Sequence, residues 1–130
     1  MSDPVVRALV AGHADFAAGL ISAVELITGR GDQLMPIQVR GLCGTDIELL
    51  LAERLTATES RVIFTDLHAG SCTMAARRVQ RAMPGVMLVA GANLPMLLDF
   101  VMNADADPSR AATQAADRGK TAVSVIGGAP

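Results

Sequence analysis

The stretch "RVIFTDLHAGSCTMAARRVQRAMPGVMLVA", residues 61–90, decides the fold, because it changes rhythm twice. "RVIFT" (61–65) and "VMLVA" (86–90) are short apolar runs bounded by polar or turn residues, as buried strands are. From about Ser71 to Met83 the apolar residues recur at helical spacing. Pro84 and Gly85 then close the helix, since proline cannot continue it and glycine tolerates the exit. Strand, helix, strand in this order argues for parallel pairing. The same alternation extends in both directions, with "VVRALVA" (5–11) and "LMPIQV" (34–39) as two further strand runs.

Between them, Asp15 to Thr28 places Phe16, Leu20, Val24 and Ile27 on one helical face, and "GTDIELLLAERL" (44–55) does the same with Ile47, Leu50, Leu51 and Leu55. After the fourth strand, "LPMLLDFVMN" (94–103) reads as a helix whose Pro95 sits in the first turn, where its missing N–H has no intrahelical partner to lose. "ADADPSRAATQAADRG" (104–119) reads as a polar, alanine-rich helix, and "KTAVSVIGG" (120–128) as a final strand pairing at a sheet edge or on another subunit. Pro36 removes a ladder donor, which places the second strand at an edge as well. The expected fold is α/β in three layers: a mostly parallel sheet flanked by helices, of order 2-1-3-4 if strands one and three are neighbours. "GGAP" (127–130) has the composition of a linker's beginning.

Composition narrows the function. A chain of 130 residues, 51% hydrophobic, suits a single domain over 1–130 with a proper core, and with only three aromatic residues that core is expected to be aliphatic. A net charge of −2 gives no basic footprint for a phosphate backbone, so nucleic acid is not an expected partner. Cys43 and Cys72 fall in no metal-ligand spacing. "MSDPVVRALV" (1–10) lacks a basic segment followed by a long apolar one, and every apolar run is broken by glycine, proline or charge. These features point to a reduced, cytoplasmic protein that does not insert into a membrane.

In an open parallel sheet, ligands sit at the carboxyl ends of strands where the chain order reverses. The first strand delivers His13 there through "AGHAD" (11–15), and the third delivers Asp66, His68 and Ser71 through "FTDLHAGSC" (64–72). A carboxylate accepting the proton of one ring nitrogen fixes the tautomer and frees the other nitrogen as a nucleophile. Asp66 would orient and His13 would attack. The "AGS" turn adds backbone amides and the positive end of a helix dipole, an anion site suited to a phosphoryl group. Gly12 and Gly70 allow close backbone approach, and with Ala14 and Ser71 they complete the expected phosphate-binding positions. Blander readings stand beside these: a solvated loop histidine, Asp66 as a helix cap, Ser71 as an N-cap, His68 as a surface residue, Cys72 as a buried filler, and Arg77, Arg78 and Arg81 as a solvated helix face. "RGKTA" (118–122) is no P-loop, because the earlier glycine is missing and a strand is expected next; "AGHADFAAG" (11–19) lacks a dinucleotide glycine triplet. No metal or cofactor is expected.

"GHADFAAGLISAVELITG" (12–29), "IFTDLHAGSCTMAA" (63–76) and "VAGANLPMLLDF" (89–100) together resemble the enzyme IIA component of the mannose/fructose/sorbose class of bacterial phosphoenolpyruvate-dependent sugar phosphotransferase systems. The likeness runs in order over roughly residues 5 to 126. It implies that His13 accepts phosphate from the carrier protein HPr on Nε2 and passes it to a IIB component. It also implies that Asp66 bonds Nδ1, that Ser71 lies beside the phosphoryl group, and that the sheet gains an antiparallel C-terminal strand, which homodimers exchange. Ala14, Ala69 and Cys72 depart from the glycines and the proline usual in the class, and His68 from a commonly bulky residue. A regulatory phosphohistidine module of the same fold, or a small-ligand-binding α/β domain, are the alternatives that sequence leaves open.

Overall fold

The computed structural model describes residues 5–129. The ends of the expected 1–130 domain, and the "MSDP" on which the absence of a leader was read, lie outside the described residues. Four parallel strands, β1 (Ala8–Ala11), β2 (Leu34–Ile37), β3 (Val62–Thr65) and β4 (Met87–Ala90), form a sheet of order β2-β1-β3-β4. The strands are shorter than their apolar runs. Pro36 lies on edge strand β2, opposite Val10, as its missing N–H requires.

Side-chain alternation divides the core between the two faces. Ala8 and Val10 of β1, with Val62 and Phe64 of β3, face α1 (Phe16–Thr28), α4 (Leu94–Met102) and α5 (Pro108–Thr121). Leu9 and Ala11, with Ile63, face α2 (Gly44–Thr58) and α3 (Ser71–Ala82). The core is aliphatic except for one aromatic pair, Phe64 on β3 and Phe100 on α4, packed edge to face with centroids 5.0 Å apart. The buried stripe of α1 runs through Ala17 and Val24, with Phe16, Leu20 and Ile21 packed beside it. Ile27, expected on that stripe, is exposed. It lies three residues past Val24, in the last turn of the helix.

The expected C-terminal strand is not formed within the single chain. α5 continues through Lys120 and Thr121, and residues 123–129 have no regular structure, with Val125 and Ile126 almost fully exposed. A strand needs a neighbour for its N–H and C=O groups, and residues 123–129 pair with neither outer edge of their own sheet. Glu59, at the end of α2, holds φ +59°, a left-handed conformation that costs a residue with a side chain about 1–2 kcal/mol. Its carboxylate has no ion-pair partner among the described residues. Glu59→Gly is therefore expected to raise stability by about 0.5–1 kcal/mol, net of glycine's extra chain entropy. A shift of the urea midpoint, with Glu59→Ala giving none, checks this.

Candidate functional site

Ala11 at the end of β1 and Thr65 at the end of β3 are paired in register, so the loops that follow them leave the sheet side by side. His13 and Asp66 meet there. Nδ1 of His13 lies 2.7 Å from Oδ2 of Asp66, and the His13 backbone N–H donates to that same oxygen at 2.8 Å. The imidazole is 62% exposed, whereas the Asp66 side chain is 11% exposed. Burial pushes the Asp66 carboxyl up. The hydrogen bonds from the His13 backbone and ring, followed by the His13 charge and Asp66's own backbone N–H, outweigh it and hold the group below the usual carboxylate range. An ionised carboxylate can only accept, so the proton of the neutral ring sits on Nδ1 and the lone pair is left on Nε2.

Gly12 makes this contact possible. A Cβ on it would fall 2.5 Å from Phe16 Cδ1 and 2.9 Å from both Cγ and Oδ2 of Asp66. Its missing side chain thus makes room for the orienting carboxylate. Ala14 follows at φ +47°, a strained value for alanine, and Phe16 N–H closes the turn onto the His13 carbonyl at 3.0 Å. Across the crevice Gly70 lies against the ring: a Cβ there would sit 3.4 Å from His13 Cε1. Gly70 is the N-cap of α3, without a side-chain cap bond, and Ser71 is the first helical residue. Serine as the cap is therefore corrected. The Gly70 carbonyl already accepts from Met74 N–H, and the Ser71 side chain is exposed. The first amides of α3 and its positive dipole end follow directly on Gly70, which lies against the ring.

The chain matches the sequence profile described as "PTS system fructose IIA component" over residues 7–116. It is also 32% identical, over 100 residues, to the sorbose-specific EIIA component of the phosphotransferase system of Lacticaseibacillus casei, covering 75% of this chain and 72% of that protein. The chain belongs to the EIIA-man family. The mannose/sorbose-specific IIA subunit of Enterococcus faecalis shares its fold, with a TM-score of 0.80 at 20% identity over 95% of this chain and 96% of that one. The phosphotransferase system component EIIA of Streptococcus agalactiae does so with a TM-score of 0.82 at 18% identity, over 92% and 95% respectively. This is a IIA component of the mannose/sorbose class, and IIA components are phosphotransfer proteins.

Two residues of this IIA component escaped the sequence reading. Thr65 and Thr73 are buried, and their hydroxyls lie 2.6 Å apart; the Thr73 hydroxyl donates to the Leu67 carbonyl, so Thr65 donates to Thr73. The chain pins the Asp66 loop to α3, while the Thr65 carbonyl accepts from Gly91 and Ala92 and ties in the loop after β4. Its only sequence signal is a pair of threonines flanking "DLHAGSC" (66–72). Thr73→Val keeps the shape but strands a buried hydroxyl and a carbonyl. We expect a loss of about 1–3 kcal/mol in denaturant unfolding, mostly restored in Thr73→Ser. Cys72 is a buried filler whose thiol is pushed up by burial and then by the Asp66 charge. His68 is exposed, as is Arg77; Arg78 reaches Glu48 at 3.6 Å. Among the described residues no three His, Cys, Asp or Glu side chains cluster to hold a metal, and no helix is long and apolar enough to cross a membrane.

Proposed function

We propose that this protein is a cytoplasmic phosphoryl carrier that accepts phosphate from phospho-HPr on Nε2 of His13 and passes it to a IIB component for sugar uptake. The observation that carries the reading is the His13–Asp66 contact, which engages one edge of a largely exposed ring and leaves the other free. As the Nε2 lone pair forms its bond to phosphorus, the bond from phosphorus to the donor breaks and the donor keeps that electron pair. The ring becomes positive, and the buried Asp66 carboxylate stabilises it through the Nδ1 proton. The α3 amides and the Ser71 hydroxyl face the phosphoryl oxygens, beside Gly12, Ala14 and Gly70. Alignment and preorganised dipoles supply the catalysis.

Exposed Leu67 and Met74 flank this end and suit it to docking another protein. Residues 1–130 act as one IIA domain. The exposed Val123, Val125 and Ile126, together with the unpaired outer edge of β4, support a homodimer in which this segment adds as a strand to the partner's sheet. Incubating the protein with phosphoenolpyruvate, enzyme I and HPr tests the carrier reading. An acid-labile, base-stable adduct is expected; no transfer from phospho-HPr would refute it.

A further inference from the structure

At the opposite pole, under the amino-terminal ends of β1 and β3, lies a cleft of about 470 Å³ that the phosphoryl site does not use. Its size falls in the range that holds small ligands. Three arginines line it. Arg7 donates through one terminal nitrogen to Gln33 Oε1 at 3.1 Å and to the Phe100 carbonyl at 2.9 Å, and its guanidinium lies 4.5 Å over the Phe100 ring. Arg30 donates to the Val101 carbonyl at 3.2 Å, and Arg61 to the Ser60 carbonyl at 2.7 Å. All these acceptors are neutral. Among the described residues none of the three meets a carboxylate, whereas Arg40, Arg54, Arg78, Arg110 and Arg118 each do.

Uncompensated charge gathered at one cleft costs free energy that an anion would offset. Burial, and then the charge of Arg30, pull the Arg7 guanidinium down, as crowding of like charges should. Two carboxylates line the cleft. Asp105 is engaged by Arg110 at 2.7 Å, and Glu59 leaves the guanidiniums in excess. The lining also contains Asn103, whose buried Nδ2 has no partner among the described residues. Apolar surface from Val62, Phe100 and Val101 completes it.

We propose that this cleft binds a small organic phosphate monoester, with its phosphate oxygens across Arg7, Arg30 and Arg61 and its organic part on Phe100 and Val101. A carboxylate fills a single guanidinium fork, whereas the three oxygens of a phosphate dianion can use donors from all three arginines. The cleft exceeds what inorganic phosphate alone would fill.

Amide NMR titration of the intact protein with glycerol 3-phosphate, inorganic phosphate and glycerol tests this. Saturable shifts are expected at Arg7, Phe100 and Asn103 with the ester, at least about tenfold tighter than with inorganic phosphate, and none with glycerol. Arg30→Gln and Arg61→Gln, which remove no packing contact of the core, should each weaken binding about tenfold or more. The proposal is overturned by shifts confined to residues 12–15 and 66–71, by unchanged binding in both variants, by inorganic phosphate binding as tightly as the ester, or by no saturation below about 10 mM.

Discussion

His13→Ala is expected to receive no phosphate from phospho-HPr, with labelling reduced at least about a thousandfold and the fold retained. The nucleophile is lost outright, and no neighbour can replace it: the only other histidine, His68, is exposed on the loop after Asp66 and meets no carboxylate among the described residues. Stability should change little, because the ring is largely exposed and the bond from the residue-13 backbone N–H to Asp66 survives. The loss is about 1.5 kcal/mol, the low end for a hydrogen bond to a charged group, because the ring is largely exposed. Far-UV circular dichroism and a urea melt separate a missing nucleophile from a missing fold. Label persisting in His13→Ala would move the acceptor elsewhere.

Asp66→Asn is expected to slow phosphoryl acceptance by about a hundredfold to a thousandfold. The amide can still accept one bond through its oxygen, yet it has no charge to stabilise the ring as Nε2 attacks. Rotated the other way, it would donate to Nδ1 and favour the wrong tautomer. The substitution also changes stability with pH. In the native protein the Asp66 carboxyl lies below its ordinary value, so it contributes stability that is present above its unfolded pKa of about 3.9 and is lost as pH falls through the lower folded value. The variant lacks this component. Stability profiles of the two proteins should therefore differ near neutrality and converge in acid below about pH 4. A gap that stayed constant as pH fell well below the unfolded pKa of about 3.9 would mean that Asp66 is not held ionised by His13.

The strand–helix alternation and the edge position of β2 could be read from sequence because their determinants are local. Pro36 marked an edge, Pro84 and Gly85 fixed where α3 stops, and the alternation of "RVIFT" and "VMLVA" with helical spacing required parallel pairing. Once β1 and β3 are neighbours, His13 and Asp66 face each other through backbone register alone. What sequence could not show depends on contacts remote in the chain. Ile27 continues the apolar periodicity of α1 into its last turn but is exposed, since no element remote in sequence packs over it among the described residues. "KTAVSVIGG" (120–128) has strand composition, yet α5 takes Lys120 and Thr121 and the residues after it pair with no strand of their own chain. Thr65 and Thr73 meet only because the loop between them folds back onto α3, and Ser71 loses the capping position to Gly70. The cleft at the other pole joins Arg7 to Phe100, 93 residues apart; no local spacing announces such a pair.

The central claim is that Asp66 occupies Nδ1, so that only Nε2 carries phosphate. Phosphorus and ¹⁵N NMR of the enzymatically phosphorylated protein, with histidine nitrogens labelled, measures this directly. The account predicts a single phosphoramidate with phosphorus coupled to His13 Nε2, and a phosphoryl group on Nδ1 or on His68 would contradict it.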